Sequence, residues 1–227
     1  MDEKTIKPVA YIYTDFKEKF GIPRQSGRCP SARGTVVLEK DFSCFDFLRG
    51  IEEFTHLWLI FGFSACERDG VFATVRPPRL GGNKRVGVFA SRAPYRPNGL
   101  GLSCVKLESV TERNGKPALS VSGVDLLDGT PVYDIKPYIP SSDMRTDARG
   151  GYSEPFTDYK LKVVFPENLR EKLSDTEYGT LCECLADDPR PSYQRDGRVY
   201  VMKFSRYEVS FAAESGVLTV LSVEIAE

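Results

Sequence analysis

Between Asp69 and Glu108 the chain carries seven cations, Arg76, Arg79, Lys84, Arg85, Arg92, Arg96 and Lys106, and no acidic residue across 38 positions. Positive charge at that density is chemistry for an anion, because phosphate contacts supply most non-specific affinity for nucleic acid. The same window is dense in turn residues: Pro77-Pro78, Gly81-Gly82, Gly87, Pro94, Pro97, Gly99 and Gly101. Such backbone turns rigidly and allows close approach to a ligand. Tyr95 and Phe89 add rings on which a base can stack, a contact worth about 1–3 kcal/mol in single-strand binders. The alternative for this segment is a basic surface loop balanced by acidic neighbours in space.

Downstream, Asp125-Leu126-Leu127-Asp128-Gly129-Thr130 sets two carboxylates three residues apart at a turn. That reads as turn chemistry, or as recognition of ribose, an amine or a methyl-bearing cation in a pocket. The chain has one histidine, His56, between Thr55 and an apolar run; it reads as a hydrogen-bonded core residue before a catalyst. No nucleophile-elbow sequence supports a Ser-His-Asp site around it. Dinucleotide and phosphate-loop glycine motifs are absent too. Six cysteines are scattered, with Cys182 and Cys184 the one close pair. A zinc site needs further Cys or His nearby, so no metal is expected and the thiols read as reduced.

Taken whole, the 227 residues carry 31 Lys+Arg against 32 Asp+Glu, a net charge of −1. Resolved along the chain, that is +7 in the basic window and −8 elsewhere. At 41% hydrophobic and 28% charged the composition is that of a globular protein. The first residues are charged early and lack an apolar core, unlike a signal peptide. The longest apolar run, 57–63, has seven residues against about 20 for a membrane span. A cytoplasmic location is expected.

The elements that must position these residues are mostly strands. Strand-like runs fall at 9–13, 34–38, 56–63, 86–90, 103–110, 118–123 and 131–135, separated by Gly/Pro-rich turns, which favours β structure closing as a barrel or sandwich. Asn114-Gly115 marks a hairpin. A short helix capped by Ser43 is expected over 44–50. Composition shifts near 141–155. Beyond it the pattern predicts a strand over 159–165, a helix from Pro166 to Asp187 and a terminal hairpin turning at Ser215-Gly216. The expected division is a β domain over 1–150 and a small α+β domain over 151–227.

Seven words in order carry a family resemblance: residues 17–25, 54–58, 74–83, 87–98, 125–131, 134–138 and 188–193. With these the chain resembles the TrmO-like family, also labelled YaeB-like, of tRNA methyltransferases. The resemblance implies a single-sheet β-barrel rather than a Rossmann-like fold, a homodimer, S-adenosylmethionine as methyl donor, and N6-threonylcarbamoyladenosine at position 37 of tRNA as acceptor. By position it implies cofactor contacts at Arg24, Gln25, Ser26, Gly27 and Arg28. It adds Ser64, Ala65 and Arg92, then Ser103, Cys104, Val124, Asp125, Leu126 and Leu127.

Within that frame Asp125 and Asp128 are candidates to accept a proton from the acceptor nitrogen, and Asn98 to bond an adenine edge. Arg92 and Arg96 suit the threonyl carboxylate. Arg76, Arg79, Lys84 and Arg85 suit tRNA phosphates, with Tyr95, Lys136 and Tyr138 on the same binding surface. Two alternatives stay open: a non-catalytic RNA-binding β-barrel, and a methyltransferase of the same fold with another substrate.

Overall fold

Along one strand Leu57, Leu59 and Phe61 alternate with His56, Trp58 and Ile60, and the first set is buried. That period of two sends alternate side chains to opposite faces of a sheet. The computed structural model describes residues 3–66, 70, 72–80, 83–191 and 197–226. Its N-terminal part contains β1 (Ala10–Thr14), β2 (Arg33–Leu38), β3 (His56–Gly62), two short strands β4 (Thr74–Val75) and β5 (Val86–Gly87), β6 (Leu100–Arg113), β7 (Lys116–Ser122) and β8 (Thr130–Pro137). Six of these close into a barrel in the order β1-β2-β7-β6-β3-β8, antiparallel throughout. Closure gives every strand of that sheet a partner on both sides over at least part of its length.

The barrel is filled by Ile12, Val36, Leu57, Leu59, Val105, Leu119, Val121 and Val132, all fully buried. Each such side chain is worth about 1.5–3 kcal/mol of burial. The β6–β7 hairpin turns on Asn114 (φ 53°) and Gly115 (φ 74°), the paired left-handed conformation that Asn-Gly favours.

Past a short turn of helix α1 (Pro140–Asp143), the C-terminal part contains β9 (Lys162–Val164), α2 (Glu167–Arg170), α3 (Asp175–Ala186), β10 (Val199–Phe204), β11 (Tyr207–Glu214) and β12 (Val217–Ile225). Its sheet runs β10-β11-β12-β9, with β9 parallel to β12. Leu181, Cys184 and Leu185 of α3 and Phe204, Val209, Phe211 and Leu218 of the sheet belong to one buried cluster. The expected helix from Pro166 is therefore two. It breaks before Ser174, whose hydroxyl accepts from Glu177 N at 3.3 Å while its own N–H donates to Glu177 Oε2 at 2.9 Å; this capping box restarts the helix.

Three other expectations shift. The strand over 86–90 stops at Gly87 and continues as a 3-10 turn, because the Val88 carbonyl accepts from Ser91 rather than across a sheet. The helix expected after Ser43 is a 3-10 turn, Phe45–Leu48, and Ser43 does not cap it; its hydroxyl donates back to Lys40 O at 2.8 Å. The strand β10 was not expected. Its period of two is masked because Val199 and Val201 are apolar yet exposed.

The segment between β1 and β2 leaves the barrel and inserts into the C-terminal core. Phe16 meets Phe204 edge-on at 6.1 Å, and Phe20 stacks on Phe211 at 6.2 Å. Farther along, Ser31 N and Oγ both donate to Glu183 Oε2, at 2.9 and 2.7 Å. Arg28 Nε donates to Asp187 Oδ1 at 2.5 Å, and Asp187 is 3% exposed. Removing one member of a buried pair strands the other charge. Asp187→Ala is expected to cost about 3 kcal/mol in urea-induced unfolding. Lys160→Ala, which removes an ammonium 3.6 Å from the same carboxylate on a more exposed side chain, is expected to cost at most about 1 kcal/mol.

Candidate active site

The site begins where β6 outruns β7. Residues Leu100 to Val105 pair with β3, but the ladder to β7 starts at Lys106 opposite Ser122. Residues 26 and 27 fill the side so vacated. Ser26 Oγ accepts from Cys104 N at 3.2 Å, and Gly27 N donates to Gly123 O at 2.9 Å. Both glycines at this junction have left-handed backbone, φ 76° and 72°, which a side chain would strain. Farther up the rim Gly101 lies opposite Phe61. A Cβ at 101 would sit 2.3 Å from that ring, so glycine there lets Phe61 lie across the strand.

The result is a cavity of about 680 Å³, in the range of pockets for nucleotide-sized ligands. Its apolar lining includes Ile22, Ile60, Phe61, Leu100, Leu102 and Leu126. Its polar lining is drawn from segments distant in the chain, among them Arg24 with Gln25, Ser64, Ser91 through Arg96 without Ala93, Ser103, and Asp125.

Two polar pairs organise it. Ser103 Oγ donates to Asp125 Oδ1 at 2.6 Å. Burial pushes the Asp125 carboxyl up to about 6, against the pull of the Ser103 hydroxyl, backbone N–H groups and the Arg92 guanidinium. Across the cavity, Arg92 Nη1 donates to Gln25 Oε1 at 2.5 Å, and Arg92 is exposed. A carboxylate that titrates near neutrality and an accessible guanidinium thus share one cavity, a pairing suited to moving a proton and holding an anion.

The structure gathers Arg24, Gln25, Ser64, Ala65, Arg92, Tyr95, Arg96, Ser103, Asp125, Leu126 and Leu127 around this cavity. Ser26, Gly27, Cys104 and Val124 lie behind it as supports: Val124 is fully buried and its N–H donates to Ala32 O at 3.3 Å. Arg28 faces the other way, toward Asp187 and the carbonyls of Thr157 and Tyr159. Arg24 lines the cavity but also donates to the carbonyls of Asp188 and Arg190, at 3.1 and 2.7 Å. Arg96 Nη1 donates to Val88 O and Ser91 O, at 3.2 and 2.7 Å, so it shapes its own loop.

Several expected residues are not brought to the cavity. Asp128 accepts from Thr14 N at 2.9 Å and Lys17 Nζ at 2.8 Å, fastening its turn to β1. Asn98 is exposed outside the lining. Arg76 and Lys84 are exposed on the basic loop, where Arg85 donates to Thr74 Oγ1 at 2.7 Å. The Arg79 side chain lies outside the described residues. Lys136 pairs with Asp134 at 3.0 Å. Tyr138 packs on Trp58 and His56, at 5.7 and 6.3 Å. His56 is half-buried and 3.0 Å from Thr55 Oγ1, so it does not enter the core. Lining residues not anticipated include Ile60, Leu100 and Leu102. Their signal was available: they are apolar residues at the start or on the outward face of strands whose inward faces were already apolar. Among the described residues no three His, Cys, Asp or Glu gather as a metal site, and no helix is long and apolar enough to cross a membrane.

Comparison with known proteins fits both halves of this architecture. The tRNA-methyltransferase O N-terminal domain matches residues 11–144, and the TrmO C-terminal domain matches 158–226. The Escherichia coli tRNA (adenine(37)-N6)-methyltransferase is 36% identical over 233 residues, covering 99% of each chain. A Pseudomonas aeruginosa relative, 43% identical over 205 residues (86% of this chain and 87% of its own), is named for S-adenosylmethionine-dependent methyl transfer. The crystal structure of TrmO from P. aeruginosa superposes with a TM-score of 0.80 at 35% identity, covering 100% of this chain and 99% of the other. A closed β-barrel with a rim cavity, carrying an α+β domain of its own kind, in a chain matched from end to end: this protein belongs to the TrmO family.

Proposed function

We propose that this chain transfers a methyl group from S-adenosylmethionine to N6 of adenosine 37 in tRNA, with the threonylcarbamoyl derivative of that adenosine as its acceptor. The observation that carries the reading is the cavity itself. It joins Asp125 and Arg92 on the barrel rim next to the exposed basic loop, in a family whose E. coli member is named a tRNA (adenine(37)-N6)-methyltransferase. The same reading makes residues 1–150 the catalytic barrel and 151–227 its support, and it extends to a homodimer working in the cytoplasm.

The residues present fit such a donor. Apolar side chains at Ile60, Leu102 and Leu126 suit an adenine ring, and Gln25, its Oε1 accepting from Arg92, brings an amide to the lining. When bound, S-adenosylmethionine supplies an electrophilic methyl group. The acceptor nitrogen shares its lone pair with the adenine ring and the carbamoyl carbonyl, so it is a weak nucleophile until its proton leaves. Asp125, held by Ser103, is the group that takes this proton. The exposed Arg92 guanidinium holds the threonyl carboxylate by paired hydrogen bonds. Alignment in a walled cavity does the rest.

Three measurements test this. Arg92→Ala should lower methylation of threonylcarbamoylated tRNA at least 100-fold with an unchanged urea midpoint; full activity would remove the role. Lys84→Ala should weaken tRNA binding and flatten the log–log salt dependence by about 0.7–0.9, the release expected for one phosphate contact. For Asp125 the rate should rise with pH through about 6, and Ser103→Ala should move that limb upward. The linkage to stability has the opposite sign. A carboxyl raised above its ordinary 3.8 stabilises the fold below that value and loses this contribution as pH rises through about 6. Asp125→Asn should therefore gain stability over wild type at pH 8, by at most about 3 kcal/mol, while losing activity. An Asp125→Asn enzyme that keeps full activity would exclude the proton-acceptor role.

A further inference from the structure

Phe89 is 79% exposed, the highest value among the described large apolar residues. Phe47 and Phe45, the next most exposed phenylalanines among the described residues, lie on a separate turn where Phe47 meets Phe42 edge-on at 5.7 Å. Phe89 instead stands at the centre of the 3-10 turn Val88–Ala90, and that turn is built to hold it out. Val88, buried at 4% exposure, is the anchor. Its N–H donates to Ala73 O at 3.0 Å. Its carbonyl accepts from Ser91 N, Ser91 Oγ and Arg96 Nη1, at 3.2, 2.9 and 3.2 Å. The Arg96 guanidinium that tightens the turn also lies 5.9 Å from the centre of the Phe89 ring, a cation–π distance. Ser91 and Arg96, which fix the turn, both line the cavity, so the turn that carries the ring borders the cavity. The exposed Lys84 and Arg85 precede it by a few residues.

A solvent-exposed ring on an immobilised turn, next to a cation and beside a nucleotide-sized cavity, is the arrangement of a base-stacking platform. An adenine drawn into the cavity has to leave its stack, and its neighbour in the loop then loses a stacking partner. The geometry points to Phe89 as the residue that receives the base adjacent to the target adenosine, stacking on it while the target occupies the cavity. This rests on the tRNA reading above and adds to it a site of contact that is indifferent to base identity, since every base has a π face.

The test uses an anticodon stem–loop RNA carrying threonylcarbamoyladenosine, with 2-aminopurine in the adjacent position. Wild-type protein should quench the 2-aminopurine fluorescence on binding and methylate the RNA. Phe89→Ala should abolish the quench and weaken RNA binding about 5- to 100-fold, with unchanged affinity for S-adenosylhomocysteine by calorimetry and unchanged sedimentation. Phe89→Trp should restore both binding and quench. Equal RNA affinity and quenching in Phe89→Ala would overturn the platform while leaving the methyltransferase reading intact. So would a Phe89→Ala protein with altered oligomeric state, which would place the ring in a subunit contact. Binding and quenching by wild type without methylation would uphold the platform and overturn the methyltransferase reading.

Discussion

Everything at the rim depends on how the segment from Phe16 to Ala32 is held. It leaves the barrel after β1, threads the C-terminal core with Phe16 and Phe20, and returns over α3 fastened by Glu183 and Asp187. Thr180 adds a third fastening, its hydroxyl donating to Ser31 O at 3.0 Å. Gln25 and Ser26 sit between these two sets of anchors. A free loop of that length would lose far more conformational entropy on ordering around a ligand than one already fixed. None of the described lining residues lies beyond Thr130, so the described part of the C-terminal domain contributes no wall. Its contribution is to set the position of residues that do.

The second constraint is electrostatic. Placing Asp125 where it can reach a cavity takes it partly out of water, and burial is the largest cause of its raised pKa. Ser103 and the surrounding N–H groups limit that penalty without abolishing it, leaving a carboxyl that titrates close to neutrality. Complete solvation would return it to an ordinary, weakly basic carboxylate. Deep burial without donors would keep it protonated. The overhang of β6 past β7 provides the intermediate setting, with one side of the strand laddered to β3 and the other open to residues 24–28 and 125–127.

Much of the barrel was legible because its signal is local. Short apolar and β-branched runs between Gly/Pro turns mark β1, β2, β3 and β7 directly, and Asn114-Gly115 names the hairpin through the left-handed backbone those residues tolerate. The site was legible in part. Asp125 and Asp128 look equivalent in the sequence, three apart in one turn. Their difference lies in Ser103, Thr14 and Lys17, partners on strands and loops distant in the chain. Arg24 and Arg28 pose the same problem more sharply. Both stand in the segment that borders the cavity, yet the acceptors of Arg28 are at Asp187, Thr157 and Tyr159, well over 100 residues away. No pattern inside a short window encodes that. The strand expected over 86–90 failed for a more local reason: the Val88 carbonyl turns back to accept from Ser91 N and Oγ, with the Arg96 side chain as a third donor.

The basic face of this nearly neutral chain comes from the uneven placement of its acids, none of which falls between Asp69 and Glu108. Many of its carboxylates are engaged in internal fastening: Asp128 to β1, Glu183 to Ser31, Asp187 to Arg28, Glu18 to Lys203 N at 2.8 Å, and Asp143 to Trp58 Nε1 at 3.0 Å. Acids spent this way hold backbone and side chains in place, and where their charge is matched by a buried cation the pair is close to neutral from outside. Some basic residues are spent likewise, Arg24 and Arg28 on the C-terminal domain and Arg96 on its own turn. The basic window, holding no acid of its own, keeps Arg76, Lys84 and Arg92 exposed. A net charge of −1, split as +7 in the basic window and −8 outside it, is therefore compatible with attraction to a polyanion at one edge and net repulsion elsewhere. Attraction confined to the edge that carries the cavity favours encounters in which the nucleic acid arrives already beside the reacting groups.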